Sequence, residues 1–248
     1  ACLERNLLYI RLASSEMFAR SREVVQGMIR GVYPDARSAF DAFNQGMGPE
    51  EGPPEAAARV ESAYAYAFKP QGGSPAASAV MNSLREELGA ELLVGQSVNV
   101  AGDIAAGAYT EAELEFLTMG ESVDILRCQI TGEQLYAYLN GVLAARGKRG
   151  CVSNDSTLYV SSGFAMELRR TEEGYAVENL TVDGRKLDRE ASYDLAVLGN
   201  EVMLQREVLA AAGVTEYQKE ERAFQRIISQ RLLEGRQLAA PADYITLR

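Results

Sequence analysis

Histidine is absent from all 248 residues, and that count removes more chemistry than any motif adds. Without an imidazole there is no Ser-His-Asp or Cys-His nucleophile system, no His-based acid–base step and no mixed His/carboxylate zinc site. Three cysteines, Cys2, Cys128 and Cys151, are too few and too scattered for a thiolate metal site. Cys128 and Cys151 could form one disulfide, and buried free thiols are the simpler expectation. Arg146, Lys148 and Arg149 could hold an anion, but at the end of a helix they are expected to complement its dipole in solvent. Glu111, Glu113 and Glu115 are expected to cap a helix and face water, not to bind a cation. Tyr64, Tyr66 and Phe68 would point to different faces of a helix, so core packing is expected of them, not an aromatic platform. Asp103 is expected to shape a turn by accepting a nearby backbone N–H.

The elements that would position these residues change character along the chain. Residues 1–68 carry helical spacing in three stretches: Leu8 to Ile29, Asp35 to Asn44, and Glu55 to Phe68. Loops rich in Gly and Pro separate them, and Lys69 to Pro75 marks a boundary between a helical extension, residues 1–72, and a domain, residues 73–248. Ser74-Pro75 opens a helix that ends at Gly89, with proline where its missing N–H costs nothing. Glu91–Val94 is a short strand candidate, and Gly95 to Ala108 is irregular. Two capping boxes follow, Thr110 with Glu113 and Thr131 with Gln134. Between them Ser122–Ile130 has strand character; after the second comes an amphipathic helix with Leu135, Tyr138, Leu139, Val142 and Leu143 on one stripe, ending at Gly147.

From Leu158 the apolar runs take strand form at 158–161, 164–169, 175–182 and 193–198, with Asp183-Gly184 as a hairpin turn. Helices are expected at 201–212 and 216–233, and strand potential returns at Tyr244–Leu247. Helices interspersed with consecutive strands predict an α+β fold, a mixed sheet flanked by helices.

A hydrophobic content of 47% suits a globular domain with a real core. A net charge of −10 and a pI near 4.8 oppose a polyphosphate backbone, so nucleic acid is excluded as the expected partner. No apolar run approaches the roughly eighteen residues a membrane span needs. The chain starts at Ala1-Cys2 without methionine and without the pattern of a signal peptide, so a processed product or an excised piece is expected.

Three consecutive stretches resemble one family. Asp103-Ile-Ala-Ala-Gly-Ala-Tyr-Thr110, Leu117-Thr-Met-Gly-Glu-Ser122 and Val123–Ile130 leading into Thr131-Gly-Glu-Gln-Leu135 are similar, in order and spacing, to the C-terminal domain of 5′-nucleotidases. Ser162-Gly163, the hairpin Val182 to Asp188, and Tyr193-Asp-Leu-Ala-Val197 agree with later landmarks. The resemblance implies a substrate-recognition domain that works beside an N-terminal metallophosphatase domain holding two divalent metals. It also implies a location outside the cytoplasm: extracellular, periplasmic or at the cell surface.

Carried over residue by residue, the family's ligand contacts are substituted. The arginine of the family's Asn-Gly-Gly-x-x-Arg loop aligns with Ala101; the phenylalanine of its Leu-Pro-Phe-Gly-Asn loop with Met119; a second stacking phenylalanine with Glu201. Losing an aromatic partner removes on the order of 1–3 kcal/mol per stacked base. Residues 1–72 contain neither the Asp-x-His nor the Gly-Asn-His-Glu motif of the metal domain, so this chain holds no cofactor of its own and is expected not to hydrolyse phosphoesters. The leading expectation is a non-catalytic recognition or support domain whose ligand is a nucleotide or nucleoside-like molecule. A second is a repurposed extracellular interaction module with no nucleotide binding.

Overall fold

The computed structural model describes residues 56–66, 74–96, 100, 102–115, 117–118, 123–148, 159–172, 174–199, 202–242 and 245–247. By its internal contacts the chain divides into two compact units, Ala1–Glu55 and Ala56–Arg248. The helices expected before residue 51 lie outside the described residues.

Helix α1, Pro75–Leu88, has the ends its sequence encodes. Ser74 Oγ accepts from Ala77 N at 3.3 Å, proline occupies the first turn, and Gly89 closes the helix at φ 60°. It is buried on nearly every side, because Ala76, Ala77 and Ala79 let neighbours approach while Val80, Met81 and Leu84 fill the space between them.

Strand β1 (Ala58–Val60) pairs antiparallel with β3 (Gly107–Tyr109), and Tyr64 bridges Ile104. The helix expected over Glu55–Phe68 is therefore not formed over its described residues, 56–66. Tyr64 N donates to Ile104 O, Ile104 N donates to Tyr64 O, and Ala57 N donates to Tyr109 O. These long-range bonds, with Val60 buried and Tyr64 and Tyr66 packed on the core, override the weak local preference for helix.

The main sheet combines β2 (Leu92–Gln96), β4 (Asp124–Thr131), β5 (Tyr159–Ser162), β9 (Ser192–Gly199) and β10 (Gln218–Lys219) in the order β10-β4-β9-β2-β5. Only β2 and β9 run parallel; the other neighbours are antiparallel. Alternation sorts the side chains to two faces. Leu92, Val94, Leu126, Cys128, Ile130, Leu195 and Val197 share one core cluster with helix α3 (Gly132–Lys148), α4 (Val202–Ala211) and a second sheet. Leu93, Ile125, Ala196 and Leu198 face the other, with α1, α2 (Glu111–Glu115) and α5 (Phe224–Leu233). The result is the mixed, helix-flanked α+β architecture the sequence predicts.

The second sheet has the order β11-β6-β7-β8, from Ile245–Leu247, Phe164–Thr171, Gly174–Val182 and Arg185–Lys186. The turn after β7 has positive φ at both central residues, Asp183 at 51° and Gly184 at 72°, as the right-handed twist of a tight hairpin requires. One helix is shorter than expected. Residues 216–223 are not helical: β10 lies along β4, with Gln218 opposite Arg127 and Lys219 opposite Leu126. The run Glu216 to Arg222 carries no apolar stripe to hold a helix against the core, so its backbone instead completes the edge of β4.

Both capping boxes form as expected. Thr110 N donates to Glu113 Oε2 at 2.8 Å and Glu113 N to Thr110 Oγ1 at 3.2 Å. Thr131 N donates to Gln134 Oε1 at 2.9 Å and Gln134 N to Thr131 Oγ1 at 3.2 Å. The helix they open, α3, runs one residue past Gly147, and Leu135, Tyr138, Leu139, Val142 and Leu143 are all buried.

Candidate functional site

Three strand ends lie side by side at one end of the main sheet. The parallel strands β2 and β9 finish together, Val94 opposite Val197, and antiparallel β4 starts beside the end of β9, with Asp124 opposite Gly199. The chain leaving β2 leads to Ala101, the chain entering β4 comes from Met119, and the chain leaving β9 leads to Glu201. All three residues lie outside the described residues, so their side chains are not placed. Their described neighbours are joined: Val100 bridges Thr118 in antiparallel pairing, tying the first connection to the second.

Polar contacts hold the residues that follow Val100 and the start of β4. Asp103 Oδ1 accepts Tyr66 N at 2.6 Å, the turn-shaping role expected of it. Tyr109 Oη donates to Ala105 O at 2.7 Å, and burial, then the nearby Glu113 charge, push that phenol above its ordinary value against the lowering effect of the bond. At the start of β4, Asp124 pairs with Lys219 at 2.7 Å. Next to it, the hydrogen bond from Arg222 holds the Glu220 carboxyl below the usual carboxylate range. Thr118 is 3% exposed, and its Oγ1 has no hydrogen-bond partner among the described residues.

An open polar cleft of about 940 Å³ lies elsewhere, lined by Arg127, Gln129, Gln134, Asp194 and Tyr217 among others. Its polar groups are turned on one another. Arg127 donates to Asp194 and to Leu88 O, Gln134 donates to Gly213 O, and Gln129 accepts from Ser192. Cys128 at its base is a buried free thiol, pushed up to about 11 by burial and by the Asp194 charge, which makes it a poor nucleophile. Cys2, Cys151, Phe68 and the side chains of Glu115, Arg146, Lys148 and Arg149 lie outside the described residues. Glu113 is a cap. Among the described residues no three of His, Cys, Asp or Glu are grouped to hold a metal ion.

One polar cluster was not singled out from the sequence, although its position was. Ser162 is fully buried where β5 passes under α1; its Oγ donates to Asn82 Oδ1 at 2.6 Å and accepts from Arg85 Nε at 2.9 Å. Gly163, next in the chain, is the corner at which the polypeptide leaves one sheet for the other. It has φ 83°, and a Cβ there would stand 2.2 Å from Glu91 O. The Ser-Gly landmark thus has a physical cause: a buried hydroxyl serving a helix, then a residue that can have no side chain.

The model of the 5′-nucleotidase C-terminal domain matches residues 58–199. The chain belongs to that family. The matched segment starts at β1 and ends with β9. Solved structures with the same fold include the 5′-nucleotidase precursor of Thermus thermophilus, with a TM-score of 0.60 and 13% identity over 86% of this chain and 43% of that one. The NAD nucleotidase of Haemophilus influenzae gives 0.59 and 11%, covering 86% and 42%. The sulfate thiohydrolase SoxB of Thermus thermophilus gives 0.58 and 17%, covering 86% and 39%. This member of the family therefore spans about two fifths of the length of those chains. No curated protein sequence matches it.

Proposed function

We propose that this 5′-nucleotidase C-terminal domain is a non-catalytic ligand-recognition unit whose site lies at the sheet end where the connections bearing Ala101, Met119 and Glu201 meet. The observation that carries this reading is the topology: β2 and β9 end side by side and β4 begins there, so three strand ends distant in sequence lie together. The ligand is a nucleotide or nucleoside-like molecule, held less tightly than an arginine and two stacked rings would hold it. Phosphoester chemistry and its two divalent metals would belong to a metallophosphatase domain acting beside this one. This chain's donor set does not fit such a metal pair, since it has no histidine and among the described residues no three of Cys, Asp and Glu are grouped to hold an ion. The setting is extracellular, periplasmic or at the cell surface.

Calorimetry with AMP, adenosine and UDP-glucose tests the reading. Binding of at least one at millimolar concentration or below is expected, and restoring the ring with Met119→Phe should tighten it. If none binds at millimolar concentration, recognition is wrong and the role is support or protein interaction.

A further inference from the structure

Residues 237–242 and 245–247 lie on the domain as a docked peptide does. Gln237–Ala242 run antiparallel to α1 in register: Ala239 N donates to Ser83 Oγ at 2.8 Å, Asn82 Nδ2 donates to Ala240 O at 2.8 Å, and Ser78 Oγ both accepts from Ala242 N at 3.0 Å and donates to Ala242 O at 3.1 Å. Ser78 and Asn82 are four residues apart and Ser83 follows, so the three, all bonded to this segment, form a polar stripe on α1 ahead of its charged last turn, Arg85 to Glu87. Ile245–Leu247 then add to the edge of β6 as a parallel strand, Ile245 opposite Met166. Two apolar side chains anchor the segment, Leu238 in the core cluster around α1 and Ile245 in the cluster on the other face of the main sheet.

This is how extended peptides are recognised: strand addition at a sheet edge, side-chain pockets at intervals and hydrogen bonds to the peptide backbone between them. Between Leu238 and Ala242 these backbone groups are held by side chains of α1, not by another strand. Such an interface can open, because hydroxyl, amide and peptide groups on both sides can all exchange their partners for water. A joint precedes it: α5 ends at Leu233, and Gly235, exposed and at φ 77°, turns the chain toward the strap.

We propose that the groove formed by the Ser78–Asn82–Ser83 stripe and the β6 edge is a peptide-docking surface, occupied by the chain's own C-terminal segment as an exchangeable strap. It selects an extended segment with aliphatic anchors seven residues apart and small residues after the first. This surface is separate from the ligand site proposed above and does not depend on it.

The test uses the full chain with a protease recognition sequence inserted at Gly235, cut after folding. The cut chain should keep its circular dichroism and take up a fluorescent peptide of residues 236–248 at one per chain, while the uncut chain takes up none. A Leu238→Asp peptide should bind at least about tenfold more weakly, and Ser78→Ala with Ser83→Ala in the cut chain should weaken uptake of the native peptide. A cut chain that unfolds, one that stays folded but takes up no peptide, or one that takes up the Leu238→Asp peptide equally well would overturn the proposal.

Discussion

Ser162 and Asn82 are 80 residues apart in sequence and 2.6 Å apart in the fold, a hydroxyl and an amide oxygen enclosed between β5 and α1. Asn82 spends its other end on Ala240 O, and Ser162 also accepts from Arg85. One chain of buried and half-buried hydrogen bonds thus connects the strap, the central helix and the edge of the main sheet.

Removing the hydroxyl with Ser162→Ala leaves Asn82 Oδ1 without a donor and Arg85 Nε without an acceptor. The expected loss is about 1–3 kcal/mol, since each orphaned group bears its desolvation cost. Urea unfolding of Ser162→Ala, Asn82→Ala and the double variant should show the two losses failing to add, with a coupling of at least about 0.5 kcal/mol. Additive losses would mean that the pair does not act as a unit.

Gly163→Ala should be worse than Gly235→Ala. Both positions have φ near +80°, 83° and 77°, so both carry the left-handed penalty of about 1–2 kcal/mol for a residue with a Cβ. At Gly235 an added Cβ meets nothing within 4 Å, whereas at Gly163 it meets Glu91 O at 2.2 Å. Thermal unfolding should give a small drop for Gly235→Ala and a clearly larger one for Gly163→Ala. Equal drops would show that the corner yields.

What was legible in the sequence follows how local its causes are. Caps, turns and amphipathic stripes act over four or five residues, so α1, α3 and the Asp183-Gly184 turn stand where Ser74, Thr131 and Gly184 put them. The failures are at β1 and β10, where Val60 and Gln218 become strand only because β3 and β4 offer them an edge across a long sequence separation. The three positions of the proposed site come from motif order alone. That the ends of β2 and β9 lie side by side depends on their parallel pairing, and nothing near Ala101 or Glu201 encodes it. The serines of α1 read as ordinary helix residues because their partners, at 239–242, are some 160 positions away.

Acid should act on the ion network that fastens α5 to α1. Glu87 accepts from Arg231 at 2.7 Å and from Arg236 at 2.6 and 2.8 Å. Burial pushes its carboxyl up, but the hydrogen bonds from Arg236 and Arg231, with their charges, outweigh that and hold it below its ordinary 4.5. A carboxyl with a folded pKa below its unfolded one stabilises the fold above the unfolded value, and that stability is lost as pH falls through the folded value. Wild type should therefore exceed Glu87→Gln in stability at pH 7, and the gap should shrink as pH drops below about 4.5. Chemical unfolding at pH 7, 5 and 3 measures it, and a gap that holds constant to pH 3 would rule out the ionised carboxylate as its source.

Thr118 is the position where a substitution should help. Its Oγ1 is buried without a partner among the described residues. Cross-strand partners in an antiparallel bridge project to the same side, so Thr118 shares the side of Val100, which is 2% exposed and packed in the α1 cluster. A hydroxyl held in apolar surroundings costs about 1–3 kcal/mol, and valine keeps the shape while removing that cost. Thr118→Val should raise the unfolding free energy by about 1 kcal/mol. Because the hydroxyl faces the core, nucleotide binding measured on the same variant should stay at the wild-type level. A loss of stability would reveal a hydrogen bond the hydroxyl makes in solution. Unchanged stability with weakened binding would turn Thr118 from a core residue into a ligand contact.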